Sequence, residues 1–321
     1  MKKISIILSI ILIISFLSGW ISYFLFDKNT RALYTNQDRA SITEDKSFNP
    51  STIKQIIINT EKNNVRILKS YNKDILVRFS NPNSQDNSHS LLKTEQIGNN
   101  LTVTIGSNKN KHNSPFKIFN FSTDLNNYNS LSLEVFIPQD FKDNIVVNTI
   151  TGGCSIVNIE VNNFSFITGS GLLKVSNVIS NNFNVYNKTS SSQIINFTGV
   201  LKYVSDSGCL KIQDIETPDT FIKTNNGLVE IVNFDGNLTY TSASGSLTII
   251  NNVIVNNSTY YIKTESGFIK LFLPQNTLFN LIYNTATGKL TNEFFSGNHD
   301  SNFNIKIDSD SGFTKIIKGL P

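Results

Sequence analysis

One spacing constrains this chain more than any other: a hydroxyl residue, two further residues, then glycine, repeated through its C-terminal two-thirds. "TESGFIKL" at 264–271 has relatives in "SDSGCLKI", "SASGSLTI", "TATGKL" and "SDSGFTKI". With the glycine as position zero, the units fall at Gly152, Gly171, Ser192, Gly208, Gly227, Gly245, Gly267, Gly288 and Gly312, at intervals of 19, 21, 16, 19, 18, 22, 21 and 24 residues. In this alignment all nine units carry Thr or Ser at −3, from Thr149 to Ser309. Positions −7 and −5 are mostly large and apolar, as in Phe164/Phe166, Leu201/Tyr203, Tyr260/Ile262 and Ile305/Ile307. Positions +2 and +4 are apolar too, as in Leu173/Val175, Leu210/Ile212 and Ile269/Leu271.

Residues of one parity line one face of a strand. The pattern therefore predicts a strand with −7, −5 and −3 inward, a corner at the glycine, a second strand with +2 and +4 inward, and a looser return. One unit of ~20 residues cannot bury its own apolar face, whereas stacked units share a continuous core. The −3 hydroxyls would form a column at the corner and satisfy backbone groups that the turn leaves open. Gly267 is expected to hold a positive φ there. Ser192, with the shortest interval before its successor, marks the least regular unit. A fainter unit lies upstream, with Asn63 at zero, Ile56, Ile58 and Thr60 before it, and Val65 and Ile67 after it. Strands are expected at 73–79 and 100–105, split by polar loops at 80–90 and 106–130.

The N-terminus has a different character. Lys2 and Lys3 precede residues 4–26, a run of 23 residues without a charge. At ~1.5 Å per residue it is long enough for a ~30 Å bilayer core, and Trp20, Tyr23 and Phe24 lie near one end, where interfacial aromatics belong. A cleaved signal peptide is the alternative, but its apolar region is normally ~7–15 residues long with an A-x-A-like site after it. The expectation is a single-pass anchor with a cytoplasmic N-terminus and everything after Phe26 outside. The domain plan is an anchor at 1–26, a polar tether at 27–52, and a repeat domain at 53–321 whose first third, 53–140, is irregular and whose units are regular over 141–321. The expected fold is all-β: a single elongated β-solenoid, parallel β-helix-like, behind an N-terminal transmembrane helix.

Charge and composition narrow the function. The chain has 28 Lys/Arg against 24 Asp/Glu; residues 1–50 hold six and four of these, leaving 22 against 20 in the remainder. That balance excludes a nucleic-acid-binding surface. The two cysteines, Cys154 at +2 and Cys209 at +1, are three units apart, too far for a disulfide, and are expected as free thiols. His89, His112 and His299 have no metal-ligand spacing, and no EF-hand loop, P-loop or dinucleotide fingerprint is present. A catalytic serine would occur once, beside a base. Ser-Gly recurs without one, so no catalytic, cofactor-binding or metal site is assigned and no small-molecule substrate is evident. On the outer surface, the −2 column reads Ile150, Gly169, Ser190, Asp206, Asn225, Ala243, Glu265, Ala286, Asp310, with no acids on successive units. The +3 column reads Ser155, Lys174, Ile195, Lys211, Glu230, Thr248, Lys270, Thr291, Lys315, where Lys211 and Glu230 are neighbours able to pair.

The stretches "LEVFIPQDFKDNIVVNTITGG" (133–153) and "IKLFLPQNTLFNLIYNTATGKL" (269–290), each a strand, a proline (Pro138, Pro274), a short loop and a new Thr-x-Thr-Gly unit, together with "IKIDSDSGFTKI", resemble the LiaG-like, putative-adhesin β-repeat proteins of Gram-positive cell envelopes. The resemblance covers residues 53–321. It implies a β-solenoid at the cell surface, without assigned activity and with no catalytic residues to carry over. The function expected is a non-enzymatic, membrane-anchored, adhesin-like or envelope interaction module, with a cell-wall polymer or an envelope protein as partner. An accessory or sensor protein of an envelope-stress system is the alternative, and a carbohydrate-active β-helix enzyme the third reading.

Overall fold

The computed structural model describes residues 42–81, 92–106, 132–253, 257–294 and 301–319. The expected anchor, most of the tether, nearly all of the two polar loops and all three histidines lie outside them; residues 80–81, expected in the first loop, end a strand. Thr43–Pro321 forms one compact unit. Among the described residues there is no α-helix, and sixteen strands join in one sheet. They are β1 (Ile42–Phe48), β2 (Gln55–Thr60), β3 (Asn64–Ser70), β4 (Ile75–Asn81), β5 (Leu92–Ile97), β6 (Asn100–Ile105), β7 (Ser132–Pro138), β8 (Asn144–Thr149), β9 (Cys154–Thr168), β10 (Leu173–Thr224), β11 (Leu228–Ser242), β12 (Ser246–Ile250), β13 (Thr259–Leu273), β14 (Asn280–Thr285), β15 (Lys289–Asn292) and β16 (Asn304–Lys318).

The predicted parity holds. Phe164, Phe166, Leu173, Val175, Leu201, Tyr203, Leu210 and Ile212 are all buried, and so are Leu238, Tyr240, Leu247, Ile249, Tyr260, Ile262, Ile269 and Leu271 further along the stack. Successive coils pair in parallel at 19-residue register, Leu173 with Cys154 and Phe183 with Phe164, whose rings stack at 4.8 Å. The return is more regular than expected. Val178, Ile179 and Ser180 pair with Ile159, Glu160 and Val161, and Ile215–Thr217 pairs with Phe234–Gly236, so the central coils have a third, short face. The bend between the second and third faces is made by Asn158, Asn177, Asn196, Asp214 and Asn233, all at φ between 51° and 57°. Asn and Asp tolerate this left-handed conformation better than other side chains. Their amides bond from coil to coil, Asn177 to Asn158 at 2.9 Å, Asn196 to Asn177 at 2.9 Å and Asn233 to Asp214 at 2.7 Å. The asparagine richness of the chain thus builds a corner ladder. The third face ends at Asn251, whose fully buried amide accepts from the Phe234 N–H at 3.0 Å and donates to the Phe234 carbonyl at 3.3 Å, standing in for the next strand.

The irregular unit is resolved differently from the expected alignment. The carbonyl of Ser190, not of Ser192, faces Gly208 across the corner. The zero position is therefore Ser190, the intervals become 19 and 18, and Asn187 takes the −3 place, its side-chain amide 2.6 Å from Ser205 Oγ. Ser192 moves to +2 and is buried, with Tyr203 Oη donating to its hydroxyl at 3.3 Å. The hydroxyl column is thus interrupted by one amide.

The corner glycines are needed mainly for closeness. Gly208 and Gly312 have positive φ, 124° and 121°, but Gly267 does not, against expectation. A Cβ on Gly171 would lie 1.8 Å from the Gly152 carbonyl oxygen, and one on Gly267 would lie 2.5 Å from Thr264 Oγ1 and 2.7 Å from the Gly245 carbonyl oxygen. In most corners the glycine N–H donates to the −3 hydroxyl, as from Gly152 to Thr149 at 2.7 Å and from Gly245 to Ser242 at 2.6 Å. At the two positive-φ corners Ser205 and Ser309 instead donate to the carbonyls of Ser207 and Ser311, both at 2.7 Å.

Chain order and stacking order part company at both ends. The upstream unit, with Ile56, Ile58 and Thr60 on β2 and Val65 and Ile67 on β3, exists as expected but stacks directly on the unit of Gly152: β2 pairs with β8 and β3 with β9. β6 and β7 then lie outside it, and the antiparallel strands β5 and β4 close that end. β1, which falls inside the expected tether, adds beyond β4, where Asp45 takes a two-point hydrogen bond from Arg78 at 2.9 and 2.8 Å. Its charged sequence, "ITEDKSF", hides an edge strand whose Phe48 packs on the core. At the other end β13 pairs with β16 over its whole length, and β14 and β15 pair with the far side of β16. The last corners therefore stack in the order Gly267, Gly312, Gly288. The inner place suits β16, whose Ile305, Ile307 and Ile316 are fully covered, while Leu281, Tyr283 and Leu290 of the end coil remain partly exposed.

Candidate interaction face

The swapped order creates a surface absent from the chain-order reading. On the outward side of the second face, the +1 column runs Leu228, Ser246, Phe268, Phe313, Lys289, and the +3 column runs Glu230, Thr248, Lys270, Lys315, Thr291. Phe268 and Phe313 are direct neighbours, with centroids 5.6 Å apart and planes 15° from parallel. Lys270 Nζ lies 4.9 Å from the Phe268 centroid, and Lys315 Nζ 5.3 Å from that of Phe313. Lys289 is level with Phe313 on the next strand. The neighbouring outward column is apolar, with Ile250, Phe272 and Ile317 half-exposed.

Several cations of the domain are neutralised locally. Lys211 pairs with Glu230 at 2.8 Å, as the sequence allowed, Arg66 with Glu134 at 2.6 Å, Lys54 with Asp143 at 3.3 Å, and Lys142 with Glu160. Among the described residues, no carboxylate lies within ion-pair distance of Lys270, Lys315 or Lys289. Two parallel ammonium groups one strand apart would repel. Each is instead held against an aromatic face, where the ring quadrupole attracts it. The result is a fixed strip of positive charge on a flat aromatic floor.

The other expected features are dispersed or structural. Ser266 is exposed on the corner, its backbone N–H bonded to the Ala243 carbonyl at 2.8 Å. Glu265 and Asp310, separated by one unit in chain order, become neighbours through the Thr264–Ser309 and Ser266–Ser311 pairing, which overturns the reading that the −2 acids are never adjacent. Both sit exposed on a convex corner. With the corrected register, Lys188 enters the −2 column and Gln193 replaces Ile195 in the +3 column. Among the described residues no group of three His, Cys, Asp or Glu side chains is placed to hold a metal. Both cysteines are free, Cys154 buried and Cys209 exposed, as expected, and burial pushes the Cys154 thiol well above its ordinary pKa.

The sequence did carry a signal for the strip. "ESGFIKLF" and "DSGFTKII" are the two units sharing Ser-Gly-Phe-x-Lys, and ladders stack like residues on like.

The fold is that of an all-β domain of stacked coils, a β-repeat architecture with flat outward faces. Residues 53–316 match the family described as Toastrack DUF4097, and the chain belongs to that family. No curated protein matches it. Solved structures similar to it include a putative adhesin from Parabacteroides merdae, 9% identical, covering 87% of this chain and 97% of that one with a TM-score of 0.48. A putative adhesin from Bacteroides fragilis is 11% identical, covering 86% and 98% with a TM-score of 0.33. A putative cell adhesion protein from Clostridium sporogenes is 12% identical, covering 87% and 99% with a TM-score of 0.28.

Proposed function

We propose that this protein is a non-enzymatic, adhesin-like interaction module of the LiaG-like kind. Residues 1–26 hold it at the cell membrane with the N-terminus in the cytoplasm and the repeat domain outside. The observation that carries the reading is the use made of the repeated hydroxyls: the −3 side chains cap corner backbone, and the Ser-Gly pairs serve the turn. What the coils offer a partner is flat outward surface, broad enough for a polymer or protein. Membership of a family whose similar structures are described as adhesins supports the same role, and Lys2 and Lys3 before a single long apolar run support the orientation.

The test has two parts. Protease added to intact protoplasts should digest the domain at 53–321, and full protection would refute the orientation. The full chain should sediment with isolated cell envelopes, while failure to do so would refute the adhesin-like role.

A further inference from the structure

We propose that the strip formed by Phe268, Phe313, Lys270, Lys315 and Lys289 is a binding site for an extended phosphodiester polymer, a chain of monoanionic phosphates joined by short polyol or sugar spacers. The proposal deepens the adhesin-like reading and rests on it for its biological setting. Three features select this ligand.

The first is charge. Three ammonium groups without carboxylate partners among the described residues lie together on three successive strands of one outward face. All three are lysines. Arginine's planar fork favours two-point recognition of carboxylates, whereas lysine acts on phosphate as a point charge.

The second is layout. The lysines do not converge on one point, as they would around a single phosphate. Lys270 and Lys315 succeed one another across β13 and β16 at the ~4.8 Å interval of adjacent strands, and Lys289 follows on β15, set two residues back along its strand. That arrangement fits repeated charges along a line. Because the Lys270 and Lys315 ammonium groups are already laid on the rings, these two side chains have little freedom left to lose on binding.

The third is the floor. Phe268 and Phe313 turn their faces to each other and to the lysines. Their edges, which carry the positive part of the aromatic quadrupole, are left to the ligand. The half-exposed column of Ile250, Phe272 and Ile317 alongside offers apolar surface to the CH-rich spacers. A membrane surface is the competing occupant, but wedging into lipid calls for fully exposed aromatics, and Phe268 is only 36% exposed.

The experiment uses the full chain in neutral detergent, with synthetic poly(glycerol phosphate) as probe and dextran as the uncharged control. Binding to the polymer should weaken steeply with added salt. It should fall at least tenfold in the Lys270→Gln/Lys315→Gln double variant and about threefold in Phe268→Leu, and stay unchanged in Lys174→Gln, the same column far from the strip. Equal binding by the double variant overturns the proposal. So does absence of polymer binding by the parent chain, or a preference for phosphatidylglycerol vesicles over the polymer. Isolated cell walls separate the two levels of the argument. If parent and double variant bind walls equally, this face is wrong while the adhesin-like role stands. If the parent binds the polymer through the strip but not the walls, the face stands and the role falls.

Discussion

Asn251 and Asn252 are adjacent in sequence, identical in chemistry and opposite in placement, so they weigh the buried ladder against the surface one. The Asn251 amide is fully buried and makes three hydrogen bonds: from the Phe234 N–H at 3.0 Å, to the Phe234 carbonyl at 3.3 Å and to Tyr260 Oη at 2.8 Å. Asn252 is exposed and donates once, to Asn233 Oδ1 at 2.7 Å. Asn251→Ala strands a backbone donor, a backbone acceptor and a phenol in the core. An unmet buried polar group costs about 1–3 kcal/mol, and a water admitted to the vacated space would recover part of it. The expected loss is about 3–4 kcal/mol in urea unfolding of the purified protein. Asn252→Ala should cost about 0.5 kcal/mol, the value of one solvated hydrogen bond. Asn251→Asp should fall between, because it keeps the acceptor for the Phe234 N–H but sets an oxygen against the Phe234 carbonyl. If Asn251→Ala and Asn252→Ala differ by less than about 1 kcal/mol, the amide does not terminate the third face.

Three further outcomes are expected. Gly171→Ala, whose Cβ would sit 1.8 Å from the Gly152 carbonyl oxygen, should destabilise by about 3 kcal/mol or more, against less than about 0.5 kcal/mol for exposed Ser170→Ala; chemical denaturation measures both. Cys209 should react with a maleimide in the folded protein and Cys154 only on unfolding, with no disulfide in mass spectra of the unreduced chain; a Cys154–Cys209 bridge would contradict the register. The Arg78 hydrogen bond, reinforced by its charge, holds the Asp45 carboxyl below its ordinary value. The stability this contributes is full above the unfolded-state pKa of about 3.9 and is lost as pH falls through the lower folded value. Thermal unfolding between pH 5 and pH 2 should therefore show a smaller acid-dependent loss in Arg78→Met than in the parent.

The parity of inward positions was legible in the chain because burial on one face imposes it residue by residue, from Ile56 to Ile316. The free cysteines and the Lys211–Glu230 pair followed from the same counting. What parity cannot reveal is a shift of two, which preserves it: that is why Ser192 passed for the corner that belongs to Ser190. Nor does a single unit state which neighbour it stacks on. Reading order as stacking order set Thr291 between Lys270 and Lys315 and so dispersed the strip. The asparagine bend went unread because a left-handed Asn looks the same in sequence as a loop Asn; its 18- or 19-residue recurrence was the available clue. β1 was missed since the charges of "TEDK" read as tether, and Phe48 on the core is too slight a signal to mark an edge strand.

Cysteine cross-linking across the last coils tests the arrangement on which both the fold and the proposed binding face depend. In a Cys209→Ser background, Lys270→Cys/Lys315→Cys places two outward thiols on paired strands, within the ~7 Å Cα separation that a disulfide can bridge. Lys270→Cys/Thr291→Cys places them two strands apart, since Thr291 pairs with Lys315. Mild oxidation followed by mass spectrometry should give rapid intramolecular bridging of the first pair and none of the second. Bridging of the 270–291 pair in place of the 270–315 pair would mean that the coils stack in chain order, and that β16 does not lie beside β13.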